Sequence, residues 1–360
     1  MARFGAKEVM DCTIYDTATG IPVLFLDSLK VTALENKAST ADAKGGKGNP
    51  KLLTWDFGRE SDLKITDALM SPASISLLTG KANVTNTSQA IYKREIVTAI
   101  AASTGTNTAT ITFSGVDNGL TASASLVLTV DTSVTFTVNA VKGDIYASLG
   151  EKFADVINAS GTVYKAQANT GSAHLTVIKT GASNPAITSS ATIAISGHTS
   201  LVATAANPLT SSADNSILTS RSPISTTNMY VYAWDNTLGE QGAAAVTLSL
   251  SSGVITASSG IAAASQYVVY YKFNSIASKT TMMKITADAF PGTYKFVGDT
   301  VIRSAATGKD ESFQMVINKA KFKADFSLTF QADGDPSTFD TNITVLREDA
   351  NTDMISMIKY

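Results

Sequence analysis

The chain has 360 residues but one cysteine and two histidines, and only 16% of it is charged. A lone thiol, Cys12, excludes an intrachain disulfide framework and any cysteine-built zinc site, and is read as a small core residue. With only His174 and His198, a Ser-His-Asp arrangement has almost nothing to be built from, so both are read as ordinary surface or edge-strand residues. The formal net charge is −2, which leaves no basic field for gripping a phosphate backbone. Nowhere do about 18 apolar residues run together, and "MARFGAKEVMDCTIYD" lacks the apolar stretch of a signal peptide. Synthesis in a cytoplasm without membrane insertion is therefore expected.

What is present is hydroxyl and alternation. Segments such as "PVLFLDSLKVTAL", "SDLKITDAL", "MYVYAWD", "QYVVYYKF", "YKFVGDTVIRS" and "ESFQMVINKAKF" repeat apolar residues at period two, with Gly, Asn or Pro between most of them. About ten such strands predict an antiparallel sandwich or barrel. A short helix is expected at "LMSPASISLLTG", with Ser71 capping, Pro72 at the first helical position and Gly80 stopping it.

Charge is unevenly spread. Residues 97–222 carry about one charge in eleven, against about one in five elsewhere, which marks them as an insertion. Within it "SLVLTVDTSVTFTVNAV" alternates as a strand or hairpin. The period then changes, and Ile145, Leu149, Phe153, Val156 and Ile157 fall at helical spacing behind Asp144 as N-cap. With "TVYKAQANTGSAHLTVIKTG" as two more strands, the insertion reads as a small α+β module. The division is then 1–96 and 223–360 as body and 97–222 as accessory module.

Three sites invite a chemical reading. Asp333, Gly334, Asp335 and Pro336 form an acidic turn, but a calcium loop counted from Asp333 has Thr338 and Thr344 where Gly and a carboxylate belong, so a hairpin corner is expected. "AKGGKGNPK" sets Lys44 and Lys47 among glycines yet lacks the order of a phosphate loop. With no large apolar anchor between Glu35 and Lys51, that stretch is expected to be a mobile loop that orders on assembly. Trp55 and Trp234 are read as core or interface anchors. No cofactor, metal or catalytic group is expected.

Two flanks speak together. "GGKGNPKLLTWDFGRESDLKITDALMSPASISLLTG", residues 45–80, with "GTYKFVGDTVIRSAATGKDESFQMVINKAKFKADFSLTFQADGDPSTFDTNITVLRE", residues 292–348, resembles the major tail tube proteins of tailed bacteriophages. The resemblance implies two packed antiparallel sheets with one flanking helix, six subunits closing into a ring around a lumen, and rings stacking into the tube that delivers the genome. It makes Lys44, Gly45, Gly46, Lys47, Gly48 and Asn49 ring-stacking candidates. Ser327, Thr329 and Gln331, on the polar face of a strand, become candidates for the lumen, which DNA must pass without sticking. Copies of the chain itself are the implied partners, with tape measure, tail terminator, baseplate and sheath proteins around them, in the virion tail. The alternative is a capsid-decorating or host-surface-binding virion protein, with 97–222 as the binding part.

Overall fold

A computed structural model describes the chain except residues 1–2, 7, 102–107, 116–118, 131–133, 172, 181–193, 199, 207–214, 236–239, 245–247, 252–253, 258–259, 329–338 and 349–352. The protein is mainly β, and its described residues form several antiparallel sheets and two α-helices, with no closed barrel among them. It divides into two compact units, residues 1–84 with 281–360, and residues 85–280.

The first unit is built on one ten-stranded sheet. Its path runs from Pro22–Leu26 through Asp11–Asp16, Thr293–Ser304, Asp310–Phe322, Phe339–Val345 and Lys51–Asp67 to Leu29–Lys44. The two end strands follow one another in sequence yet share no ladder, so the sheet curls without closing. Alternation sends Ile14, Leu63, Ile65, Phe296, Ile317 and Ile343 into a common core. There the rings of Phe296 and Phe322 meet edge to face at 5.3 Å. Burial, with Asp299 nearby, pushes the Cys12 thiol up to about 12, so it behaves as a small core residue.

The helix Pro72–Thr79 forms where the sequence predicts it. The Ser74 amide donates to Ser71 Oγ and the Ser71 amide to Ser74 Oγ, both at 3.0 Å, which satisfies two otherwise orphaned donors. Gly80 ends it at φ +67, and a Cβ there would lie 2.0 Å from the Phe290 carbonyl oxygen.

The second unit contains two main cores. One is drawn entirely from residues 109–203. The helix Tyr146–Ala159 buries Leu149, Phe153 and Ile157 against strands Ala124–Val130, Val134–Ala140, Tyr164–Ala168 and Leu175–Lys179. The other packs the four-stranded sheet of Glu240–Ala244, Tyr230–Asp235, Gln266–Asn274 and Ala90–Thr98 around Val231, Val269, Tyr271 and Ile255. The compositional boundaries at 96/97 and 222/223 thus run through this unit. Low charge marks one of its two cores, because the second sheet keeps lysine, arginine and glutamate on its strands.

Two side chains depart from expectation. Asp144 is not the N-cap, a position held by Ile145 without a side-chain bond. It is buried instead, and accepts from Lys152, from Lys279 at 2.9 Å, and from the Val141 amide at 2.8 Å. Burial works to raise this carboxyl, but those donors outweigh it and hold it well below the usual carboxylate range. His174 is half-buried rather than a surface residue. It stacks 5.9 Å from Phe113, whose amide donates to His174 Nδ1 at 3.0 Å.

Replacing Asp144 leaves two ammonium groups without their shared counter-ion. Asp144→Ala is expected to lower unfolding free energy by about 3 kcal/mol in urea titrations of the full chain. Burial lowers the His174 pKa from its ordinary 6.5, so the unfolded chain takes up this proton before the folded one does. Stability should therefore fall as pH drops from 6.5 towards the lower folded value. The urea midpoint of His174→Gln should change less between neutral and mildly acidic buffer than that of the parent chain.

Candidate assembly surface

Leu29–Lys44 and Lys51–Asp67 pair in register from Leu29 opposite Asp67 to Lys44 opposite Lys51. The expectation of a mobile loop over 35–51 is therefore corrected: Glu35 to Lys44 is strand. The reason is that the partner strand supplies both the ladder and the apolar residues that "ENKASTADAK" lacks. Only the end of the stretch is a turn, where the Gly45 amide donates to the Pro50 carbonyl at 3.2 Å and the Asn49 amide to that of Gly46 at 3.1 Å. Gly46 and Gly48 sit at φ +87 and +84, which few other residues tolerate.

The base of this hairpin belongs to the core through Leu63 and Ile65, but no residue from Glu35 to Glu60 is buried. Ten residues of strand, Glu35 to Lys44, span about 33 Å. A bulge divides arm from base: Lys37 faces Glu60 and Ser39 faces Phe57, so Ala38 opposes both Gly58 and Arg59. Gly58 meets the bend at φ +60.

Beyond the bulge the arm has two unlike faces. Phe57 pairs with Ser39, Trp55 with Ala41 and Leu53 with Ala43, which sets three large apolar side chains in a row over small ones. Leu53, Trp55 and Phe57 are 60%, 55% and 57% exposed, and Leu52 on the other face is 62% exposed. That other face is polar around Asp42, which accepts from Thr54 Oγ1 at 2.9 Å and pairs with Lys51 at 2.6 Å. Near the base, Lys323 donates to Asp62 at 2.9 Å and Thr344 adds a second bond, and together they hold that carboxyl low against its partial burial. The pair anchors the root of the arm.

A two-stranded ribbon is marginal alone, and a continuous apolar row on it calls for a partner surface. The chemistry this geometry supports is docking. Of the residues singled out from sequence, Lys44 ends a strand and Gly45, Gly46, Lys47, Gly48 and Asn49 form the tip of the arm. Ser327 is exposed in the short strand Ser327–Leu328, paired with Asp340. Thr329, Gln331 and the turn of Asp333, Gly334, Asp335 and Pro336 lie outside the described residues. Leu52, Leu53 and Phe57 went unremarked in sequence, although the alternation in "LLTWDF" carries their signal. Among the described residues no group of three His, Cys, Asp or Glu side chains is placed to hold a metal ion, and no helix is long and apolar enough to cross a membrane.

The fold and this surface describe a β-rich protein that carries an exposed apolar row on a two-stranded arm. The chain belongs to the YomU/Tube protein family, whose model matches residues 4–195 and 194–357. The match takes in both flanks on which the resemblance to tail tube proteins rests. No curated protein matches the chain significantly.

Trypsin is expected to cut the dilute, unassembled chain at Lys47, inside the turn, before Lys37 or Lys44, which sit in the ladder. Peptide masses over a digestion time course would check the order.

Proposed function

We propose that the chain is a structural, non-enzymatic subunit of a phage tail tube, closing with copies of itself into rings, six to a ring, that stack into the conduit for the genome. The observation that carries this reading is the arm: a hairpin on which Leu53, Trp55 and Phe57 stand in a row, each more than half exposed among the described residues. Family membership supports it, and so do the two sheet edges left unpaired at Pro22–Leu26 and Leu29–Lys44. Such edges invite aggregation in a monomer and are removed when neighbouring copies extend the sheet around a ring.

The ring-building part is assigned to the first unit, which carries both the arm and the edges. The segment 97–222 is read as an accessory module, since one core closes within it. A lumen conducting DNA must offer few cations, because each phosphate contact adds affinity and would slow passage. The low charge and the net charge of −2 suit that role. Tape measure, terminator, baseplate and sheath proteins are the partners this reading implies, and the phage tail is the place.

Electron microscopy of the purified chain should show uniform hollow rods. Changing Trp55→Ser with Phe57→Ser should leave folding intact, because both side chains are exposed in the subunit. Losing about 3 kcal/mol of apolar burial per contact would raise the concentration needed for assembly about a hundredfold. Rods forming from the double variant at the parent concentration would remove the arm from assembly.

A further inference from the structure

The second unit carries a surface that the tube reading does not use. On the four-stranded sheet, Val231, Val269 and Tyr271 turn inward, so the alternate residues of the same strands turn out. The outward face gathers Tyr92, Arg94, Tyr230, Tyr232, Trp234 and Tyr270. Tyr230, Tyr270 and Arg94 stand side by side on three adjacent strands. They border an open cleft of about 740 Å³ with Asn228 at its rim.

The cleft is ordered by its own contacts. Arg94 lies with its guanidinium carbon 5.4 Å from the Trp234 ring and 5.9 Å from that of Tyr270, and its Nε donates to Tyr270 Oη at 3.4 Å. Tyr232 meets Tyr270 edge to face at 6.1 Å. Lys272 Nζ sits 4.3 Å from the Tyr92 ring. Tyr92 is nevertheless 77% exposed and Tyr230 53%. Beneath, Lys93 is neutralised by Glu95 at 3.4 Å, while among the described residues no carboxylate pairs with Arg94.

Exposed rings, phenol hydroxyls, an amide and one guanidinium fixed between rings form a specific donor set. Aromatic faces stack on the C–H faces of pyranose rings, and tyrosine hydroxyls and Asn228 can exchange hydrogen bonds with sugar hydroxyls. A guanidinium already held in place can take an anionic substituent at little further ordering cost. Single-stranded nucleic acid would also stack on rings but needs a line of cations to follow its backbone, and among the described residues this face offers Arg94 and Lys272, with Lys93 in the cleft lining already paired to Glu95. An obligate contact with a second copy would favour an apolar face over one edged with hydroxyls and cations.

We propose that this face is a saccharide-binding site for acidic glycans, with Tyr92 and Tyr230 as stacking platforms and Arg94 as the reader of the anionic group. It does not rest on the tube reading, because every residue of the cleft lies in the second unit and would bind equally in a monomer or a polymer.

The test is isothermal titration of the full chain with hexagalacturonate and a mannose-phosphate hexasaccharide as acidic probes, with maltohexaose as neutral probe and a thymidine hexanucleotide as nucleic acid. The acidic sugars should bind saturably and about tenfold more tightly than maltohexaose. Arg94→Gln should bring the affinities for the acidic and the neutral sugars to within about twofold of each other. Tyr92→Ala and Tyr230→Ala should weaken all the sugars about tenfold with an unaltered circular dichroism spectrum, and Tyr360→Ala should change nothing. No saturable binding of either acidic probe up to about 10 mM would overturn the proposal. So would tighter binding of the hexanucleotide, or loss of self-association in the Tyr230→Ala chain measured by sedimentation.

Discussion

A β-strand has two needs, partners for its main-chain groups and cover for its apolar face, and among the described residues the arm of this protein meets the first on one side and the second only in part. Its two strands pair with each other from Leu29 to Lys44, bulges apart, so each finds a main-chain partner on that side. Its row of Leu53, Trp55 and Phe57 is left in solvent. A free chain gains nothing from holding three large apolar groups there, whereas burial of each against a neighbour is worth roughly 1.5–3 kcal/mol. The unpaired ends of the curled sheet pose the same requirement in main-chain terms. In the proposed ring both would be relieved by contact with further copies.

Support for the arm within the subunit is local and specific. The Asp62–Lys323 pair fixes the root of the hairpin, the Gly58 bulge sets where the arm departs, and Gly46 and Gly48 let the tip close. In the second unit two main cores coexist, one of them drawn wholly from residues 109–203. The aromatic cleft lies on the same unit, on the outward face of its four-stranded sheet.

Much of the fold is legible in the residues. Period-two alternation marks the strands of the first unit, the Ser71-Pro72 and Gly80 signals bracket one helix, and the spacing of Leu149, Phe153 and Ile157 marks the other. The arm is harder to read, because "ENKASTADAK" becomes a strand through its partner and not through its own composition. A polar stretch paired with an apolar one looks, read alone, like a loop. The extent of the second unit was hidden for a related reason: low charge follows one core, while the other is closed by strands such as Gln266–Asn274 that arrive from far along the chain. Asp144 reads as a cap because its neighbours are helical, but its side chain is taken up by Lys152, the Val141 amide and the distant Lys279.

Assembly through the arm requires that Trp55 be covered when copies meet. The chain has two tryptophans, so a Trp234→Phe variant reports on Trp55 alone. Acrylamide quenching of that variant, followed from dilute subunit to assembled material, measures the exposure directly. Strong quenching in the subunit and marked protection on assembly is the predicted result. Assemblies in which Trp55 stays as open to acrylamide as in the dilute chain would contradict it.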